Sequence, residues 1–109
     1  MASQANPLAE IMNRLWATHL PELEARVTVL ETCAQTLRND EEPATALKEA
    51  ASAAHKLAGV LGTFGLQRGT DIARSAELAC DNFSGDKAAL AQSLEAITNE
   101  LRTLLASKA

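Results

Sequence analysis

The sequence contains few aromatic residues. Only Trp16, Phe64 and Phe83 of its 109 residues are aromatic, whereas alanine and leucine are abundant. Sheets draw on aromatic and β-branched side chains, and helices on alanine and leucine. The composition therefore favours packed helices, and no segment shows the alternation of apolar and polar residues that predicts a half-buried strand.

Cysteine is also scarce. Cys33 and Cys80 could in principle form a disulfide. The N-terminal segment MASQANPLAE, however, lacks the basic region followed by an apolar run that marks a secretory signal. We therefore expect two free thiols in a reducing cytoplasm.

The sequence has neither an excess of positive charge nor a long apolar run. The net charge is −4 and no basic patch or arm is visible, so binding to nucleic acid through phosphate contacts is not expected. No apolar run approaches the roughly 20 residues needed to cross a bilayer. We expect a soluble cytoplasmic protein whose partners include neither nucleic acid nor membrane.

Helix signals and apolar spacing divide the sequence into one short helix and several longer ones. Asn6 and Pro7 predict the start of the short helix, because Asn accepts hydrogen bonds from free backbone amides and Pro fits the first helical position. Pro21 and Pro43 are each expected to open a further helix. Gly65 is expected to end the helix that Pro43 opens, and a less regular helix should follow from about Gln67 to Cys80.

The longer helices carry apolar residues at alternating steps of three and four. The steps run over Leu23–Leu37, Leu47–Leu61 and Leu90–Leu104. Such steps place the side chains along one stripe, and four helices joined by short turns can bury their stripes against one another. The predicted fold is all-α, an antiparallel up-down four-helix bundle with a short N-terminal capping helix. We expect a single domain over residues 1–109 with its core over about 7–106.

The segment AHKLAGVLGTFG, residues 54–65, places a histidine and three glycines in or beside a helix. A glycine inside a helix costs about 1 kcal/mol relative to alanine, so some other requirement must select Gly59 and Gly62. At about 100° per residue, His55 lies roughly 130° from the centre of the apolar stripe and is expected to face solvent. Its surface neighbours are Lys48, Ala51, Ser52, Ala58, Gly59 and Gly62. All except Lys48 are small, which predicts a docking face on which another protein approaches His55.

An exposed imidazole with a pKa near 6.5 can act as a nucleophile. No carboxylate lies three or four residues from His55 to form an acid–base pair on the same helix. No second ligand shares its face, so a zinc or haem site is not expected. The residues therefore indicate a nucleophile whose chemistry a partner completes, whereas His19, at a predicted helix junction, is interpreted as incidental.

At these residues the sequence resembles the histidine-containing phosphotransfer (HPt) family, whose pattern is commonly written H-x-[LI]-[KR]-G-x-x-x-x-x-G. The matching residues are His55, Leu57, Gly59 and Gly65. The motif region covers residues 54 to about 77, and the helix count is compatible with the family over about 7–106.

The resemblance implies that His55 accepts a phosphoryl group, at Nε2, from the phospho-aspartate of a receiver (response regulator) domain and passes it to another receiver. The receiver would supply the Asp and the Mg²⁺, so this chain needs no cofactor of its own. The expected partners are receiver domains and, as a further candidate, a hybrid histidine kinase, and we expect a monomer. The role is that of a phosphotransfer intermediate. Autonomous kinase or ATP-binding activity is not expected, because no nucleotide-binding motif is present.

One position departs from the family pattern. The family often has a basic residue three positions after the histidine, where this sequence has Ala58. Lys56 and Lys48 are the nearest positive charges, and Lys56 is the favoured supporting residue for the phosphoryl group. The alternative is that both lysines only solvate the helix.

Two other functions remain open at the level of the sequence. The chain could be a phosphate-independent interaction module that binds and modulates a receiver or a histidine kinase, since docking and transfer use the same face. It could also be a purely structural or dimerising bundle, but that function leaves the two glycines within the helix, Gly59 and Gly62, unexplained.

Overall fold

The computed structural model describes residues 6–108 and places four α-helices and no strand in that range. The helices are α1 (Pro7–Arg38), α2 (Ala44–Thr63), α3 (Gln67–Asp81) and α4 (Lys87–Lys108). Each packs against the next along the chain, and α4 packs back against α1. The predicted antiparallel up-down four-helix bundle is confirmed.

The separate capping helix is wrong, because α1 is continuous through Pro21. A proline inside a helix removes a backbone hydrogen bond and usually kinks or ends the helix. Here Trp16 before the proline and Leu23 after it are both buried in the same core. Packing on both sides therefore holds the two predicted segments in one helix.

The first turns of α1 extend beyond the end of the bundle and do not cap it. α1 has 32 residues and α4 has 22. At about 1.5 Å per residue, α1 is therefore roughly 15 Å longer than the helix it packs against. Leu8, Ile11 and Leu15 keep 66%, 50% and 43% of their surface exposed. The apolar residues that predicted a capping helix therefore lie on a face of α1 that is not packed against the other helices.

Local signals at the helix ends are mostly as predicted. The Asn6 side chain accepts hydrogen bonds from the backbone amides of Leu8 and Ala9 at the start of α1. Gly65 has φ +74°, the left-handed conformation that glycine adopts readily, in the turn after α2. Asp86 accepts a hydrogen bond from the amide of Ala89 and caps α4. These caps and the turn at Gly65 define where the helices begin and end.

Alanine and leucine build the core in complementary ways. Fully buried alanines allow the helices to approach closely, and fully buried leucines fill the space between them. The alanines are Ala50, Ala54, Ala73, Ala76 and Ala91, and the leucines are Leu23, Leu30, Leu57, Leu61, Leu94 and Leu101.

Cys33 in α1 and Cys80 in α3 are both buried and free, as expected from the sequence. The hydrogen bond to Cys33, together with burial, raises the pKa of the Cys80 thiol well above its usual range. In the described residues, no Cα of α1 lies within 8 Å of a Cα of α3. A disulfide needs about 4.4–6.8 Å between Cα atoms, so these thiols cannot be bridged without moving the helices.

No helix among residues 6–108 is long and apolar enough to span a membrane.

Candidate functional site

His55 lies on the outer face of α2, and 75% of its side-chain surface is exposed. The prediction that it faces solvent is confirmed. Most of the buried residues of α2 lie away from His55 around the helix: Ala50, Ala53, Ala54, Leu57 and Leu61. The imidazole is therefore accessible to a partner while its backbone is held by the core.

A carboxylate from the neighbouring helix contacts the imidazole. Nδ1 of His55 lies 3.1 Å from Oε2 and 3.4 Å from Oε1 of Glu77 on α3. The side chain of Glu77 is 27% exposed, so the pair forms at the edge of the α2–α3 interface. Sequence reasoning missed Glu77 because it considered only carboxylates on the same helix.

The sequence did hold a signal for this pair. α2 and α3 form an antiparallel hairpin about the turn at Gly65 and Leu66. His55 and Glu77 are each eleven residues from Leu66, and Gly62 and Thr70 are each four residues from it. Residues at equal distances from a tight helical turn lie side by side, so counting outward from the turn finds Glu77.

The contact with Glu77 determines which ring nitrogen is free. An ionised carboxylate only accepts hydrogen bonds, so Nδ1 of neutral His55 must be the protonated nitrogen that donates to it. Nε2 then carries the lone pair, on the edge of the ring that does not face Glu77. The arrangement leaves Nε2, with its lone pair, open to solvent.

Three small residues at the α2–α3 interface hold the two helices close together. The Thr70 hydroxyl donates a 3.0 Å hydrogen bond to the carbonyl oxygen of Ala58. A Cβ on Gly62 would lie 3.3 Å from Oγ1 of Thr70, and a Cβ on Gly69 would lie 2.9 Å from Cδ1 of Leu61. Close packing therefore explains Gly62 and reveals Gly69, which sequence reasoning did not single out.

The predicted docking face needs one correction. Ala58 is only 4% exposed, because α3 covers that edge of α2, so its placement on the open surface is wrong. Ser52, Gly59 and Gly62 are exposed, and Ala51 is half-buried. A Cβ built on Gly59 would have no atom of residues 6–108 within 4 Å. Packing among these residues therefore does not account for a glycine at this position.

The structure brings Lys48 and Lys56 together on the side of α2 that faces α1. Both line an open groove of about 440 Å³ between the two helices. Glu77 approaches His55 from α3, on the other side of α2. Lys48 and Lys56 therefore share a surface on the α1 side of α2.

His19 takes part in aromatic packing at the end of the bundle. Its ring centroid lies 6.1 Å from that of Phe64, which in turn contacts the edge of Trp16 at 5.2 Å. The ring is half-buried. Its position is explained by this packing, in agreement with the interpretation of His19 as incidental to the site.

Among residues 6–108, no three or more His, Cys, Asp or Glu side chains lie together in a way that could hold a metal ion. The arrangement at His55 consists of one exposed imidazole, one carboxylate in contact with its Nδ1, and a small exposed residue, Gly59, one helical turn away.

Comparison with known proteins agrees with this geometry. The family model described as the Hpt domain matches residues 14–107, which include all of α2 and α3 and most of α1 and α4. No curated protein and no solved structure matches the chain significantly. Because the family match covers most of the sequence and includes the exposed His55, the chain belongs to the Hpt domain family.

Proposed function

We propose that the protein is a phosphorelay intermediate in which His55 accepts a phosphoryl group from a receiver domain and passes it to another receiver. Membership of the Hpt family implies histidine phosphotransfer in a phosphorelay, and Hpt domains typically interact with receiver domains. The observation that carries the assignment to His55 is its exposed ring, with Nδ1 on Glu77 and Nε2 free.

The transfer step follows from this arrangement. The Nε2 lone pair attacks the phosphorus of the receiver's aspartyl phosphate, a P–N bond forms, and the P–O bond to aspartate breaks. The aspartate carboxylate leaves with the electron pair of that bond. The proton on Nδ1 stays in its hydrogen bond to Glu77, so the attacking nitrogen needs no separate base. Transfer to the second receiver reverses these bond changes.

The receiver supplies the other groups that the transfer needs. It brings the aspartate and the Mg²⁺ that stabilises charge on the transferring group. We assign the exposed surface of Ser52, Gly59 and Gly62, with half-buried Ala51 at its edge, to receiver docking. Lys56, with Lys48 behind it, supplies positive charge near the phosphoryl group.

Incubation with candidate receivers that carry ³²P on aspartate tests the proposal. We expect label to appear on the wild-type chain, to be lost in acid as a phosphoramidate is, and to be absent from His55→Gln. A phosphate-independent interaction module would bind the receivers but take up no label. Acid-stable label, or label on His55→Gln, would contradict the assignment of His55.

A further inference from the structure

The first turns of α1 expose a continuous apolar stripe. Leu8, Ile11 and Leu15 follow one another at steps of three and four residues, and each keeps at least 43% of its surface exposed. This spacing places the three side chains in a row along one side of the helix, which we call the overhang face. The row borders an open recess of about 240 Å³, which is lined by Ile11, Arg14, Leu15 and Thr18.

The overhang face continues the side of α1 that packs against α2. Eighteen residues make about five turns of a helix, so residues eighteen apart lie on one line along it. Ile11 and Val29 are related in this way, and so are Leu15 and Cys33. Val29 and Cys33 line the space between α1 and α2. Because α2 ends at Thr63, the first turns of α1 present a helix-packing surface with no helix beside it.

The charged residues beside the stripe are arranged for pairing with a second copy. Glu10 and Arg14 lie one helical turn apart on the same flank, and both are exposed. Neither has an ion-pair partner among residues 6–108. When two identical helices pack antiparallel, the same flank of each meets the other. A two-fold axis at Met12 therefore sets Glu10 of each copy level with Arg14 of the other.

We propose that the overhang face joins two copies of this chain in an antiparallel, two-fold symmetric pair. A contact of this kind uses the same residues twice, so one stripe and one flank supply both halves of the interface. The recess beside Ile11 and Leu15 receives apolar side chains of the other copy. Removal of the stripe from water supplies most of the stability. The dimer replaces the monomer that the sequence led us to expect.

The contact is small, and its size sets its strength. The two overhanging segments overlap over about ten residues each, or roughly 15 Å. Stable complexes bury about 1,200–2,000 Å² in total, which is more than such a short pair of helices offers. We therefore expect a reversible dimer whose population rises with protein concentration.

The interface lies away from His55. α1 and α2 run antiparallel, and Trp16 contacts Phe64 at the end of α2. His55 is nine residues from Phe64, and Ile11 is five residues from Trp16 in the opposite direction along the bundle. At 1.5 Å per residue, His55 and Ile11 are about 20 Å apart along the bundle. Both copies keep His55 open, so the dimer does not depend on the proposed phosphotransfer.

Analytical ultracentrifugation of the full chain from about 5 μM to about 1 mM measures the association. We expect Leu8→Ser/Leu15→Ser to raise the dissociation constant at least about 10-fold, because it removes two apolar side chains from each copy. Leu78→Ser is the matched control, since Leu78 is 60% exposed but lies on α3, outside the overhang face. It should change the constant less than about 2-fold. Circular dichroism verifies that each variant keeps its helices.

Exchange of charges tests the antiparallel orientation. Glu10→Arg should weaken the dimer about 3- to 10-fold at low ionic strength, because it places two cations side by side at each end of the contact. Glu10→Arg/Arg14→Glu should restore the dissociation constant to within about 2-fold of the wild type. A parallel pair would set Glu10 against Glu10 of the other copy. Glu10→Arg alone would then leave the constant unchanged, and this result would overturn the proposal.

A wild type that stays monomeric at about 1 mM would also overturn the dimer, as would a dimer that Leu8→Ser/Leu15→Ser leaves intact. Label transfer to His55 is measured on the same variants and should change less than about 2-fold. Loss of transfer in Leu8→Ser/Leu15→Ser with unchanged association would assign the overhang face to the receiver and overturn the dimer. Absence of transfer in a wild type that dimerises as expected would contradict the proposed function and support the dimer.

Discussion

At the scale of single residues, the proposed transfer depends on how the His55 ring is held. An exposed histidine on a helix normally rotates between staggered positions, and either nitrogen can carry the proton. The contact of 3.1 Å between Nδ1 and Oε2 of Glu77 favours one ring orientation and the tautomer that carries the proton on Nδ1. Glu77 contacts Nδ1 of His55 and not the attacking nitrogen, so in the proposed mechanism it is a positioning residue.

Replacement of Glu77 tests this role. We expect Glu77→Ala to slow phosphoryl transfer about 10- to 100-fold, by analogy with the loss of other groups that orient a functional histidine. Glu77→Gln should retain more activity than Glu77→Ala, because its side-chain oxygen can still accept the Nδ1 proton. The ¹⁵N chemical shifts of the His55 ring should show one tautomer in the wild type and a mixture in Glu77→Ala. A single unchanged tautomer together with full activity in Glu77→Ala would remove Glu77 from the mechanism.

Replacement of His55 tests whether its side chain contributes to the stability of the bundle. Since 75% of its side chain is exposed, His55→Gln should leave the thermal midpoint within a few degrees of the wild type while it abolishes transfer. A large loss of stability would mean that the imidazole supports the bundle, contrary to its position in the structure.

At the scale of the helices, α2 and α3 form the part of the bundle that builds the site. Gly62, Thr70 and Gly69 keep the two helices in close contact, and this contact places Glu77 against His55. Gly59 differs from Gly62 and Gly69 because no atom of residues 6–108 lies within 4 Å of the position its Cβ would take. Packing between helices therefore accounts for Gly62 and Gly69, and we propose receiver docking as the reason for Gly59.

Three glycine substitutions distinguish packing between helices from docking of a partner. Gly59→Ala should raise the free energy of unfolding by up to about 1 kcal/mol, because alanine is the better helix former and has free space there. Gly69→Ala should lower it by about 1–3 kcal/mol, because the added Cβ would crowd the Leu61 side chain. Gly59→Leu should fold but transfer phosphate poorly, since its side chain would occupy the surface on which the receiver approaches. Denaturant unfolding and label transfer measure both effects, and normal transfer in Gly59→Leu would contradict the predicted docking face.

How far the sequence could predict these features depends on the range of the interactions involved. The apolar residues spaced at alternating steps of three and four predicted the bundle, because this spacing indicates which face of each helix is buried. Local spacing did not predict that α1 continues through Pro21, because core contacts on both sides of the proline decide it. The angular spacing of residues along α2 correctly predicted that His55 is exposed. It wrongly predicted that Ala58 is exposed, because α3 buries that residue. Glu77 needed the register of two helices, which no single-helix pattern contains.

At the scale of the whole molecule, surface ion pairs connect helices that the core already holds together. Arg38–Glu95 joins α1 to α4, Arg68–Glu100 joins α3 to α4, and Lys87–Asp40 joins the start of α4 to the loop before α2. Hydrogen bonds to these cations lower the pKa values of the Glu95, Glu100 and Asp40 carboxyls. Each carboxylate is solvent-exposed, so salt should weaken its contribution.

These pKa shifts predict the direction of the acid response. A carboxyl whose pKa is lower in the folded state than in the unfolded state stabilises the fold above its ordinary pKa, here 4.5 for Glu and 3.8 for Asp. That stabilisation is lost as the pH falls through the lowered values. The thermal midpoint should therefore decrease below about pH 4, and the decrease should be smaller in Glu95→Gln and in high salt. A midpoint that rises on acidification would contradict the ion pairs.

In the proposed mechanism the phosphoryl group is carried on Nε2 of His55. The most direct test is to phosphorylate ¹⁵N-labelled protein with a receiver phosphate donor and to find the nitrogen that couples to ³¹P, with the site confirmed by mass spectrometry of the intact adduct. We predict coupling to Nε2 of His55 alone, and a ring whose Nδ1 proton remains bonded to Glu77. Phosphorus on Nδ1, on His19 or on any other side chain would contradict the assignment to Nε2 of His55.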